Sequence, residues 1–242
     1  HYGVGGDGIT LIEKSDVADA KMRIFNKDGS EGAMAGNSIR CVAKYLFDNG
    51  IVNKKHMTIE TLSGIRQLTL FTFNGKVSSV SVDMGKAVLE GKNIPSTLEG
   101  ETVVGREITV GGKEYNVTLV NVGNPHCVVF CDKVDAVDLA NVGPLFEYAP
   151  YFPQRINAEF VRVVNDKTLK MRVWERGNGE TLACGTGAAA SVVAAVLGGY
   201  CKTDEDITVK VRGGDLIVRY CADGEVILTG NARLVFEGTV EF

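Results

Sequence analysis

The sequence predicts an α+β fold of two pseudo-symmetric domains, each a mostly antiparallel sheet around a central helix. The first observation is an ungapped internal duplication. Lys21-Met-Arg-Ile-Phe-Asn26 matches Lys170-Met-Arg-Val-Trp-Glu175 at an offset of 149 positions, which also sets Lys27 on Arg176, Glu31 on Glu180, Gly36 on Gly185 and Ala35 on Cys184. Self-similarity of this kind fixes architecture before any local signal does. The second is a series of short alternating strands parted by hairpin dipeptides such as Asn74-Gly75. The third is Ala188–Leu197, apolar on every side, as a helix wrapped by sheet would be.

Taken in order, Gly3-Val-Gly-Gly-Asp-Gly8 is glycine-rich. It has no Lys-Ser/Thr after it and leads into a strand over Ile9–Glu13, which argues against a phosphate loop. Met22–Asn26 alternates as a strand, and Lys27-Asp-Gly-Ser30 turns the chain. Asn37 and Ser38 are good N-caps for a helix running to Asp48, closed by Asn49-Gly50. Strands follow at Met57–Leu62, Gln67–Phe73 and Val77–Met84; the last alternates Val80, Val82 and Met84 with Ser79, Ser81 and Asp83. From Gly85 to Gly105 the composition turns loop-like. The boundary falls there, between a first domain of residues 1–84 with 231–242 and a second of residues 85–230.

In the second half, Glu107–Val110 and Glu114–Val122 flank Gly111-Gly112, and His126–Phe130 follows the Asn124-Pro125 turn. Val137–Phe146 allows a short helix at best. Glu159–Val164 and Leu169–Trp174 are strands, and Thr186 caps an Ala-rich helix ending at Gly198-Gly199. Strands at Ile207–Val211, Leu216–Tyr220 and Val226–Leu228 come next, with Asp223-Gly224 turning the last pair. A final strand over Leu234–Phe242 returns to the first domain.

Composition narrows the function. At 242 residues, 45% hydrophobic and 23% charged, the chain is an ordinary globular one with core enough to need no staples. A net charge of −4, with basic residues scattered, argues against nucleic acid and membrane-surface partners. No apolar run reaches membrane-spanning length. Six cysteines lack metal-ligand spacing, three histidines lie far apart, and no metal site is expected. Apolar surroundings suggest reduced, buried thiols in a cytosolic protein. The chain begins at His1-Tyr-Gly instead of Met, and the expectation is that an N-terminal piece is missing.

Cys184 is the thiol with chemistry in view. It immediately precedes Gly-Thr-Gly at a helix N-terminus, where first-turn N–H groups lack internal partners and carry the positive end of the helix dipole. Such a mouth binds a carboxylate and lowers the pKa of an adjacent thiol. Gly185 and Gly187 let a ligand come close to the backbone. The repeat sets the same pattern at Gly36-Asn37-Ser38. Two facing helix mouths could share one carboxylate, and racemisation without a cofactor needs acid–base groups on opposite sides of a Cα.

Arg23-Ile-Phe-Asn-Lys-Asp-Gly-Ser-Glu31, Gly36-Asn-Ser-Ile-Arg-Cys41, Gly123-Asn-Pro-His126, Trp174-Glu-Arg-Gly177 and Ala183-Cys-Gly-Thr-Gly187 together resemble the diaminopimelate epimerases, pyridoxal-independent amino-acid racemases, over essentially the whole chain. The resemblance implies a strongly curved sheet or barrel around each central helix. It implies interconversion of LL- and meso-diaminopimelate by two cysteines, without cofactor, in a cytoplasmic homodimer serving lysine and cell-wall precursor synthesis. It gives Cys184 as one catalytic cysteine, with His126 and Glu175 beside the reacting centre. Gly36 with Asn37, and Gly185 with Thr186, are backbone donors to the reacting carboxylate. Asn26, Asn124, Asn157 and Arg176 read the distal end.

This sequence departs from the family in two places. Ala35 stands where the second catalytic cysteine is expected, so the chain is expected to bind substrate without appreciable epimerisation; an engineered change is the favoured origin. Gly8 stands where many relatives have Gln, and the family's first strand and a substrate-contacting Asn are expected to belong to the missing piece upstream of His1. The alternatives are a related racemase of the histidine or proline type, and a non-catalytic amino-acid-binding relative.

Overall fold

The computed structural model describes Gly6, Gly8–Asn26 and Gly29–Thr239. Most of the glycine-rich loop, Lys27 and Asp28 of the first turn, and the last three residues of the expected final strand lie outside the described residues. Two compact units divide the chain, residues 1–82 with 229–242 and residues 83–228.

The first unit holds β1 (Gly8–Glu13), β2 (Ala20–Asn26), the two-residue β3 (Glu31–Gly32), α1 (Gly36–Asp48), β4 (His56–Thr61), β5 (Gly64–Phe73) and β6 (Lys76–Lys86), which runs on past its edge. The strands lie in the order β1-β2-β4-β5-β6, with β3 on β2. All these pairs for which register is defined are antiparallel except β2 with β4, which α1 joins as a crossover. Asp19 fastens that parallel pair: one carboxylate oxygen accepts from Thr58 N at 2.9 Å, the other from Lys54 Nζ at 2.6 Å. At the β5–β6 hairpin, Asn74 and Gly75 take φ of 50° and 77°, the left-handed pair that a tight two-residue turn demands. α1 buries Ile39, Val42, Ala43 and Leu46 and leaves Tyr45 exposed, so it is amphipathic and not wrapped on every side.

The second unit holds β7 (Arg106–Val110), β8 (Lys113–Asn121), β9 (Pro125–Phe130), α2 (Leu139–Glu147), β10 (Asn157–Asn165), β11 (Thr168–Glu175), the two-residue β12 (Gly179–Glu180), α3 (Gly185–Leu197), β13 (Asp206–Val211), β14 (Gly214–Tyr220) and β15 (Glu225–Asn231), which runs on into the other unit. The order is β14-β13-β11-β10-β9-β8-β7, with β12 on β11. β9 with β10 and β11 with β13 are parallel. α3 is buried from Gly185 through Ala195 and touches β8, β9, β10, β11, β13 and β14. Its alanines serve twice, as the best helix formers and as side chains small enough for strands to close in all round. The opposite face of the sheet carries a second core of α2 and the chain beyond it, where Phe146 meets Tyr115 and Phe160 edge-on at 5.0 and 5.5 Å.

The duplication reappears residue for residue. Phe25 pairs with Glu31 between β2 and β3, and Trp174 with Glu180 between β11 and β12. Arg23 grips Glu31 through two hydrogen bonds of 2.7 and 3.0 Å; Arg172 grips Glu180 through two of 2.8 and 3.1 Å. α1 and α3 are both 13 residues long. These two-residue strands are too short to leave a periodic signal in the sequence.

Several expectations are corrected. The N-caps are Ala35 and Cys184, not Asn37, Ser38 or Thr186, because each helix begins directly after an extended residue and the polar residues fall inside its first turn. The short helix expected over Val137–Phe146 is present as α2, with Pro144 inside it and a 3-10 turn at Val134–Ala136 ahead of it. Residues 234–239 form no strand: Leu234, Val235 and Phe236 are a consecutive apolar run and stay exposed. Of the cysteines, Cys127, Cys184 and Cys201 are buried, whereas Cys41 is exposed and Cys131 and Cys221 are half-buried.

Gly143 in α2 lies against Trp174, whose indole N–H donates to Glu147 at 2.7 Å. A Cβ at 143 would come within 2.4 Å of the indole. Gly143→Ala is expected to lower the urea midpoint by the equivalent of about 1–3 kcal/mol of overpacking; an unchanged midpoint would show that Trp174 can move aside.

Candidate active site

Both helix mouths are built alike. In the second unit, β11 ends at Glu175, a short turn leads into β12, and Cys184 then enters α3 in an extended conformation, φ −118° and ψ 114°. In the first unit Ala35 does the same before α1, at φ −143° and ψ 112°. Their carbonyls accept the first helical hydrogen bonds, from Ala188 N and Ile39 N, each at 3.0 Å. The two residues therefore occupy equivalent backbone positions, one with a sulfur and the other with a methyl.

At Cys184 the sulfur accepts from Gly187 N at 3.3 Å and lies 3.4 Å from the Thr186 hydroxyl. Burial pushes this thiol well above its ordinary range, and the Glu175 and Glu159 carboxylates push the same way. The bonds from Thr186 and the Gly187 amide pull it down and are outweighed. The helix mouth thus acts in the expected direction, while burial and the two carboxylates carry the net shift upward. A first-turn dipole is worth only about a kcal/mol, whereas withdrawing a thiolate from water costs more. Cys184 rests as a thiol, able to give a proton.

Glu159, His126 and Asn124 form a line leading to this mouth. Glu159 Oε1 lies 2.7 Å from His126 Nδ1, and His126 Nε2 lies 2.9 Å from Asn124 Oδ1. Glu159 was not singled out from the sequence, although a lone carboxylate inside Ala158-Glu-Phe-Val161 was the available signal. Gly187 makes room for it: a Cβ there would sit 2.8 Å from Glu159 Oε1 and 3.3 Å from the Cys184 sulfur.

The turn after β11 carries Glu175 and Arg176. Glu175 Oε1 accepts a short hydrogen bond from the Thr181 hydroxyl. Arg176 donates its main-chain N–H to Asn157 Oδ1 at 2.9 Å and its NH1 to Gln154 O at 3.0 Å. Burial pushes the guanidinium somewhat below its ordinary value, with nearby Arg155 adding to this. The other end of the Asn157 amide donates to Pro125 O at 2.9 Å, so its side chain braces main chain on both sides. Buried Glu147 holds the same turn, accepting from Gly177 N at 3.0 Å and from the Trp174 indole.

The first unit brings Ala35, Gly36 and Asn37 together with Arg40, another residue the sequence reading passed over. Arg40 is buried, donates to Gly36 O at 2.7 Å, and its NH2 meets Asn37 Oδ1 at 2.9 Å. Burial lowers its pKa from the ordinary value. Asn26 closes the end of β2, its amide donating to the Ser30 hydroxyl at 3.1 Å. Among the described residues no group of His, Cys, Asp and Glu is disposed to hold a metal, and no helix is long and apolar enough to cross a membrane.

The diaminopimelate epimerase family model matches residues 1–90 and 118–235. The chain is 51% identical to a diaminopimelate epimerase of Acetivibrio thermocellus, over all of this chain and 86% of that protein. It is 49% identical to one of Methanococcus maripaludis, over all of this chain and 87% of that protein. Among solved structures, a probable proline racemase from Agrobacterium radiobacter matches with a TM-score of 0.69 at 17% identity, covering 95% of this chain and 76% of that one. A hydroxyproline epimerase from Agrobacterium vitis matches at 0.68 and 17%, covering 93% and 71%. At such identities the likeness is one of fold.

Because its thiol is held protonated, Cys184 is expected to resist iodoacetamide at neutral pH, with buried Cys127, while exposed Cys41 reacts first and half-buried Cys131 and Cys221 follow. Its labelling should rise only as pH climbs past the ordinary thiol range of about 8.5. Peptide mapping that found Cys184 labelled first at pH 7 would refute the raised pKa.

Proposed function

The chain belongs to the diaminopimelate epimerase family, and on that premise we propose that it binds diaminopimelate and that Ala35 keeps this form from turning it over appreciably. Epimerisation at a Cα needs one group to take the proton and another, on the opposite face, to supply one. Cys184 is suited to one of these steps: its thiol gives its proton to the Cα carbanion, becoming thiolate, or as thiolate takes the Cα proton. The residue that the repeat sets on it is alanine, which can do neither. The observation that carries the reading is the shared geometry of the two positions, both extended N-caps of matched 13-residue helices.

The remaining roles follow from chemistry. First-turn amides at Gly185 and Thr186, and at Gly36 and Asn37, donate to the reacting carboxylate. As the Cα proton leaves, the electron pair delocalises onto the bound carboxylate, where these amides stabilise the added negative charge. His126 and Glu175 flank the centre. The Arg176 guanidinium suits the distal carboxylate, with Asn26 and Asn124 contributing amide groups. Asn157 acts through main chain, fixing the turn from which Arg176 projects. No cofactor enters the reaction, and the working form is proposed to be a homodimer.

The test is Ala35→Cys. With LL- or meso-diaminopimelate in D2O, the unaltered chain is expected to interconvert the isomers only at a residual rate. The variant should gain conversion by about 10²–10⁴-fold, the usual worth of a positioned acid or base. Calorimetry should find diaminopimelate bound by both. An Ala35→Cys chain that binds and still fails to exchange Cα–H would overturn the assignment of position 35.

A further inference from the structure

The line Glu159–His126–Asn124 holds a carboxylate for which neither the packing nor the reaction as described has a use. Glu159 is fully buried, as is His126. One of its oxygens has a single side-chain partner, His126 Nδ1, and the other has no hydrogen-bond partner among the described residues. A buried ion pair is weak evidence for stability, since an apolar residue of similar size commonly serves the fold as well or better. Here the neighbours Ala158 and Phe160 already show what that strand buries on its other face.

The placement is specific. β9 and β10 run parallel with His126 opposite Asn157 and Val128 opposite Glu159. Residues two apart share a face of a sheet, so His126 and Glu159 are diagonal neighbours on one face. That is the face covered by α3, and Glu159 Oε1 fills the space that a Cβ at Gly187 would take. Both groups stand on interior strands, so neither can drift as a loop residue can.

We propose that Glu159 is a positioning residue for the reaction: its carboxylate accepts from His126 Nδ1–H, fixes the plane of the ring, and so makes Nε2 the nitrogen presented on the Asn124 side. The ring of a histidine takes its tautomer from the hydrogen bond its other nitrogen makes. With Nδ1 committed to Glu159, Asn124 governs Nε2. The amide oxygen facing Nε2 calls for a second ring proton there, and the amide NH2 would leave a lone pair. The inference rests on the reading of His126 as a group beside the reacting centre.

Ring nitrogen NMR of the uniformly labelled chain tests the contact without any turnover. Only three histidines are present, so His126→Gln assigns the signals. The unaltered chain is expected to show Nδ1 of His126 protonated. Glu159→Leu should move that signal toward a bare nitrogen, and Glu159→Gln should perturb it less. A bare Nδ1 in the unaltered chain, or ring signals indifferent to both substitutions, would overturn the proposal even if Ala35→Cys proved active. In the Ala35→Cys chain, Glu159→Gln is expected to lower kcat at least tenfold with little change in KM. The same change should cost nothing further once His126 is replaced. Losses that simply multiply would mean that Glu159 does not act through the imidazole. Should Ala35→Cys fail to turn over, the family-based reading of position 35 falls and the NMR result alone decides the role of Glu159.

Discussion

The structure depends on a corner in which a two-residue strand ends, three or four residues follow, and the last of them, extended, opens a helix. An arginine on the strand grips a glutamate eight residues later through two parallel hydrogen bonds, Arg23 to Glu31 in one unit and Arg172 to Glu180 in the other. The planar guanidinium matches the carboxylate in direction as well as charge, so the pair sets geometry where a lysine would supply only attraction. Between glutamate and helix the chain has four residues, too few to wander. The N-cap side chain is therefore aimed by the backbone, and its chemistry is a matter of which residue stands there.

The two copies of the corner are surrounded differently. In the second unit Arg172 is buried and also donates to the carbonyls of Val134 and Val137, which knits the corner into the packing of the unit. In the first unit Arg23 and Glu31 are more exposed, and solvent weakens their pairing. The charges near the helix mouths differ as well. Glu159 and Glu175 bear on Cys184, whereas beside Ala35 the buried group is the Arg40 guanidinium. A duplicated backbone thus carries unlike electrostatics at its two helix mouths.

Burial outweighs the hydrogen bonds from the first turn at Cys184. A mouth open to water would favour a thiolate. Here Cys184 is buried, and the Glu175 and Glu159 carboxylates disfavour a further negative charge beside them. Such a site keeps its proton until another charge or ligand alters the balance.

Much of this was legible in the residues themselves. The 149-residue offset is a covalent fact, and it placed both corners, both helices and the alanine opposite Cys184 in the repeat before any coordinates. Hairpins at Asn74-Gly75, Gly111-Gly112 and Asp223-Gly224 were equally plain, because few residues accept the left-handed backbone such turns need. What the sequence could not convey is what strands and turns distant in the chain bring together. The Glu159–His126 contact joins residues 33 apart, and Glu147 reaches 30 residues to hold the Arg176 turn. The final apolar stretch has strand-forming residues, yet its described part, 234–239, finds no ladder, since a strand exists only where another offers its edge. Local conformation belongs to short-range sterics and could be read directly; the protonation of Cys184 and the use of a buried carboxylate depend on desolvation, which only the packed structure decides.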